Sequence, residues 1–143
     1  MQIIDRSHCP KLSWLAGTAA LFALAGCGGP KLYSVKGTIT CPDGTPMSYE
    51  GQVIFNAVEP KGQGNPRGMI KPDGTFRMGT LAEADGAPEG DYRVAIVPMP
   101  PENPKKPPPG YPPFDAKYMS YSTSGLEFTV TRGKNELNIV VEK

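Results

Sequence analysis

Apolar and polar residues alternate in short runs along most of the chain, and that period of two predicts strands. Tyr33, Val35, Gly37, Ile39 and Cys41 alternate with Ser34, Lys36, Thr38 and Thr40, placing the first set on one face of a long first strand. Pro42-Asp43-Gly44-Thr45 then closes it as a turn: proline presets φ, the aspartate side chain bonds the backbone, and glycine takes a positive φ. Val53, Phe55 and Ala57 mark a second strand, and Gly68 and Ile70 a third. Pro72-Asp73-Gly74-Thr75 repeats the turn device and leads into Phe76 and Met78. Tyr92, Val94 and Ile96, then Leu126, Phe128 and Val130, then Leu137, Ile139 and Val141 complete the set. No segment after residue 26 has a helical period, so seven short strands predict an all-β, seven-stranded antiparallel sandwich over residues 35–142.

The N-terminal segment follows another pattern. Arg6 and Lys11 outweigh Asp5, and Leu12 to Ala25 is almost wholly apolar. As a helix, that run would span about 21 Å, short of the roughly 30 Å hydrocarbon core of a bilayer. A signal peptide over residues 1–26 is therefore expected, to be cleaved during export. Leu24-Ala25-Gly26-Cys27 resembles the lipobox of bacterial lipoproteins, which implies cleavage before Cys27 and acylation of that residue. A non-lipidated signal peptide, cut near Ala25 or Gly26, is the alternative. Residues 27–34 then read as a lipidated cysteine and a short tether, with Gly28 to Ser34 reaching at most about 25 Å.

Removing the leader changes the composition. Residues 27–143 hold 13 basic and 13 acidic side chains, so there is no cationic field for nucleic acid and no polybasic patch for anionic lipid. His8, Trp14 and Cys9 all lie in the leader. With Cys27 acylated, Cys41 has no partner for an intramolecular disulfide, and its place on the first strand predicts a buried, inert thiol. Without histidine, the exported part cannot build a Ser-His-Asp or Cys-His nucleophile, nor a His-ligated zinc or iron centre. Carboxylate-only chemistry is left open, but the acids are scattered, and the expectation is a non-enzymatic protein with no cofactor and no metal.

Val35-Lys36-Gly37-Thr38-Ile39, Asp43-Gly44-Thr45-Pro46-Met47 and Val53-Ile54-Phe55 together resemble the start of a carboxypeptidase regulatory-like domain. Asp73-Gly74-Thr75-Phe76 and Gly90-Asp91-Tyr92-Arg93-Val94 continue the likeness. Lys117-Tyr118, Thr123-Ser124-Gly125-Leu126 and Asn135-Glu136-Leu137 resemble the C-terminal part of small lipoproteins carrying this domain alone. The resemblance spans residues 33–142 and implies a transthyretin-type sandwich acting as a non-catalytic accessory or binding module. Enzymes of transthyretin-like fold depend on histidines absent here.

Three further features carry candidate chemistry. Residues 98–113 hold nine prolines, predicting an extended segment that either binds a partner or packs as a stiff crossover. Tyr111, Phe114, Tyr118 and Tyr121 follow as a candidate ligand surface for a glycan or peptide, or as pins for the loop. Glu83, Asp85, Glu89 and Asp91 supply four carboxylates within nine residues, but without the spacing of a calcium loop, so solvated turn acids are expected. Tyr92 is expected to turn a corner, its ring in the core and its hydroxyl on backbone. The whole predicts an exported protein held to a bacterial membrane by lipid, with an envelope protein or a glycan as partner.

Overall fold

A computed structural model describes residues 29–59 and 61–143. The expected signal peptide, the Leu24–Cys27 motif and Cys27 itself lie outside the described residues. The described chain is all-β. Its strands are β1 (Leu32–Tyr33), β2 (Val35–Thr40), β3 (Gly51–Val58), β4 (Arg67–Ile70), β5 (Thr75–Arg77), β6 (Ala87–Pro88), β7 (Gly90–Pro98), β8 (Leu126–Val130) and β9 (Asn135–Val140), with a 3₁₀ turn at Ala116–Met119. Seven of them form one nearly closed sheet in the order β8-β7-β3-β4-β5-β2-β9, and β1 pairs with β6 separately. Among the described residues no helix is long and apolar enough to cross a membrane.

The period of two has a direct structural outcome. Val35, Gly37 and Ile39 of β2 are buried and Lys36 is exposed. Val53 and Phe55 of β3, and Tyr92, Val94 and Ile96 of β7, face the same interior. Residues from both end strands of the sheet, Val130 of β8 and Ile139 of β9, join this single core. Phe55 holds the aromatic centre, with ring centroids 5.3 Å from Tyr92 and 5.8 Å from Phe128.

Both Pro-Asp-Gly-Thr segments form the same turn. Gly44 N–H donates to the Cys41 carbonyl at 2.9 Å, and Gly74 N–H to the Lys71 carbonyl at 2.8 Å. The glycines take φ of 82° and 77°, which a side chain would disfavour. The Asp43 carboxylate accepts Thr45 N–H at 2.9 Å and the Thr45 hydroxyl at 2.6 Å, and Asp73 does the same with Thr75 at 2.9 and 2.6 Å. Those bonds, the threonine hydroxyl first, hold both carboxyls below the usual aspartate range.

Three expectations are corrected. The large sheet is mixed rather than antiparallel throughout: β2 and β9 run parallel, Val35 opposite Asn135 through Thr40 opposite Val140. Asn135 carries the chain across. Its side chain accepts Thr131 N–H at 2.9 Å and donates to the Thr131 carbonyl at 2.9 Å and the Ser34 carbonyl at 3.3 Å. The Asn135 N–H also donates to the Ser34 carbonyl at 2.9 Å, which ties the start of β9 to the start of β2. Secondly, the long first strand is broken at Ser34, because Leu32 and Tyr33 turn to pair with Pro88 and Ala87. Strand structure thus starts at Leu32, inside the segment expected to be a tether. Thirdly, Cys41 lies past β2, inside the turn, and its free thiol is half-buried rather than buried.

Candidate functional site

The segment 98–121 divides into an exposed part and a packed part. Pro104 to Gly110 are exposed. Phe114 and Tyr118, however, are only 2% and 6% exposed and sit in the core, 6.3 Å apart in an edge-on pair. The segment is stitched down by Asp115 N–H donating to the Glu142 carbonyl at 2.8 Å, and by Lys117 Nζ to Glu142 at 3.1 Å. Tyr111 packs on Tyr49 with centroids 6.2 Å apart, and Tyr121 is half-buried. Burial raises the Tyr121 hydroxyl pKa, and the positive charge of Arg67 partly offsets it. The four aromatics therefore do not form one exposed platform. Phe114 and Tyr118 act as pins, because two large rings gain more by leaving water than by presenting a face to it.

The acidic run is likewise dispersed. Asp85 turns inward and accepts N–H bonds from Thr80, Leu81 and Ala82 at 2.6, 3.1 and 2.8 Å. Desolvation raises its pKa, but these donors together outweigh that and leave it lowered. Glu89 pairs with Arg132 at 3.1 Å, while Asp91 accepts the Thr129 hydroxyl at 2.7 Å. Among the described residues, no group of three or more His, Cys, Asp or Glu side chains is placed to hold a metal ion.

Tyr92 does turn a corner. It is 1% exposed, and its hydroxyl lies 3.0 Å from the carbonyls of both Gln63 and Pro88. Burial pushes its pKa above the usual 10.0. Buried Ser124 similarly donates to the Val94 carbonyl at 2.6 Å. Interior hydroxyls are thus committed to backbone oxygens.

A concavity lies elsewhere, on the outer face of β4 and β5. This open cleft of about 700 Å³ lies under the loop Gly79–Gly86 and includes Arg67, Met69, Lys71, Arg77, Leu81 and Glu83. Arg67, Met69 and Lys71 alternate with buried Gly68 and Ile70, so they point outward. Arg67, Lys71 and Arg77 make no ion pair among the described residues, and Glu83 is the one carboxylate in the lining. Three guanidinium or ammonium groups beside exposed methionine and leucine suit contact with an anionic or amphipathic surface. Sequence reasoning missed this cleft. The alternation over 67–71 was its one legible signal, because the overhanging loop has no periodic pattern.

No family model matches the chain, and no curated relative does either. Among solved structures, the chain is similar to a DUF3823 family protein from Parabacteroides merdae. The two share 14% identity over 80% of this chain and 47% of that one, with a TM-score of 0.50. The chain therefore spans about half the length of that protein, and the likeness speaks for the all-β fold.

Proposed function

We propose that this is an exported, lipid-anchored protein of the bacterial cell envelope, whose single β-sandwich is a non-catalytic binding or structural module. The finer fold assignment belongs to the same proposal: a sandwich of transthyretin or carboxypeptidase regulatory-like type. It is supported by the order of the strands, the paired Asp-Gly-Thr turns and the corner tyrosine in Gly90-Asp91-Tyr92. The observation that carries the anchoring is the spacing between motif and fold. Leu24-Ala25-Gly26-Cys27 ends five residues before Leu32, where β1 begins, so cleavage before Cys27 would leave the whole domain intact.

One acyl chain gives marginal membrane binding, whereas two or three hold a protein stably. Metabolic labelling with an alkyne fatty acid is expected to mark the wild-type chain and not Cys27→Ser. Equal labelling of the two overturns the lipoprotein reading. The rival reading, a glycan- or peptide-binding surface built on residues 98–121, is weakened by the burial of Phe114 and Tyr118.

A further inference from the structure

The cations of the cleft are arranged by the strand ladder. Ile70 pairs with Phe76 and Arg67 with Gly79, so Arg77 stands opposite Met69, between Arg67 and Lys71 along the neighbouring strand. Arg67 and Lys71, four residues apart on one side of an extended run, are separated by about 13 Å. On its other flank Arg77 faces Lys36 of β2, and Lys36 turns away to Glu136 at 3.6 Å. Asp73, whose carboxyl feels the Lys71 charge, is committed to the N–H and hydroxyl of Thr75. Like charges side by side on a sheet lower its stability, so folding alone does not account for this grouping.

The cleft is also formed in advance of any partner. The Thr80 hydroxyl donates to the Gly86 carbonyl at 2.7 Å, and Gly86 N–H to the Met78 carbonyl at 2.9 Å, closing the overhanging loop at its base. Asp85 accepts the Leu81 and Ala82 N–H groups from within, at 3.1 and 2.8 Å. Leu81 is thereby held at the cleft with its side chain 78% exposed, and Met69, 45% exposed, lies among the cations. A loop already fixed in place lowers the cost of binding.

What fits this cleft combines negative charge with apolar side chains. Sugars stack on flat rings, and the lining holds no Tyr, Phe or Trp. In an extended peptide, side chains at alternate positions point to one side and repeat at about 7 Å, so three in a row span the distance from Arg67 to Lys71. Carboxylates in that row meet Arg67, Arg77 and Lys71, and guanidinium groups bind carboxylates through two parallel hydrogen bonds. The intervening side chains point the opposite way, toward the loop that carries Leu81. We propose that the cleft between the β4–β5 hairpin and the loop Gly79–Gly86 is the docking site for an extended acidic segment of a partner protein, with carboxylates at alternate positions and apolar residues between them. This deepens the binding-module reading above and rests on it, but it needs no lipid anchor.

The full chain, purified from a bacterial host in a non-ionic detergent, is titrated into a short fluorescein-labelled peptide that carries three glutamates at alternate positions with leucine and valine between them. Fluorescence anisotropy is expected to show binding that weakens as salt is added. Arg67→Glu and Arg77→Glu are each expected to weaken it about tenfold or more, and Leu81→Ser several-fold. All three side chains are exposed, so the unfolding midpoints stay near wild type. Lys105→Glu makes the same charge change on the open loop and is expected to leave the affinity unchanged. A peptide that fails to bind overturns the docking site and leaves the module a structural role. Equal weakening by Lys105→Glu overturns it as a net-charge effect, and an oligogalacturonate that displaces the peptide at equal concentration overturns it in favour of an acidic glycan. If the peptide binds but Arg67→Glu and Arg77→Glu match wild type, this site is overturned while the binding-module reading stands. Cys27→Ser is expected to bind as wild type does, so the anchor and the cleft fail separately.

Discussion

Replacing Phe76 tests the packing of the nearly closed sheet at the contact between β5 and β2. Phe76 is 1% exposed and pairs across β5 and β2 with Gly37. A methyl group on Gly37 would lie 2.5 Å from Phe76 Cζ and would also strike the Leu137 carbonyl oxygen. The ring therefore lies over the glycine, filling the space a side chain would take. Phe76→Ala removes the ring and leaves its cavity, at a cost of about 3–5 kcal/mol. Against a domain stability of roughly 5–15 kcal/mol, that is a large fraction. Gly37→Ala overpacks the same contact and is expected to cost about 1–3 kcal/mol or more, because the Leu137 oxygen is held in the ladder between β2 and β9. In the double variant the clash with the ring is gone but the clash with the oxygen remains. Its destabilisation is therefore expected to fall below the sum of the single effects. Trp14, the one tryptophan, precedes residue 27, so urea unfolding of the chain from Cys27 onward is followed by circular dichroism and tyrosine fluorescence. A Phe76→Ala domain within about 1 kcal/mol of wild type, or a strictly additive pair, would refute the packing argument.

Tyr92→Phe keeps the ring but strands the Pro88 carbonyl, and is expected to cost about 1–3 kcal/mol in the same unfolding assay. Because burial raises the folded pKa of Tyr92 above 10.0, the unfolded chain releases this proton first, so stability falls as pH rises past that value. The fall should be shallower in Tyr92→Phe, and an unchanged alkaline profile would refute the assignment. Asn135→Ala deprives Thr131, Ser34 and the β8–β9 turn of their shared partner and should lower the urea midpoint, with a loss of about 1–3 kcal/mol. Phe114→Ala is expected to cost about 3–5 kcal/mol as a core residue. Pro108→Ala in the exposed part of the same loop should shift stability by no more than about 0.5 kcal/mol, and equal effects of the two would contradict the division between pin and open loop.

The strands were legible because one face of each is buried. Val35, Gly37 and Ile39, or Tyr92, Val94 and Ile96, must alternate with solvent-facing neighbours, so local sequence carries both the element and its inward face. The two turns were legible for a similar reason: a proline, an aspartate and a glycine each satisfy a local backbone demand. Cys41 marks where that reasoning ends, since the turn bends the chain just as the alternation would have carried the thiol inward. Which strand lies beside which is not a local property. The parallel union of β2 and β9 depends on Asn135 meeting Ser34, 101 positions apart, and no periodic pattern encodes such a meeting. Phe114 and Tyr118 posed the same difficulty, because an aromatic in a proline-rich stretch reads alike whether it faces water or a core. Their fate depended on the space left beside β7, and the cleft under Leu81 likewise exists only once loop and hairpin are brought together. Local chemistry thus determined the strands, their inward faces and the turns. Pairing order, the destination of the aromatics and the exposed loop tip were decided by contacts between distant residues, which form only when the sheet closes.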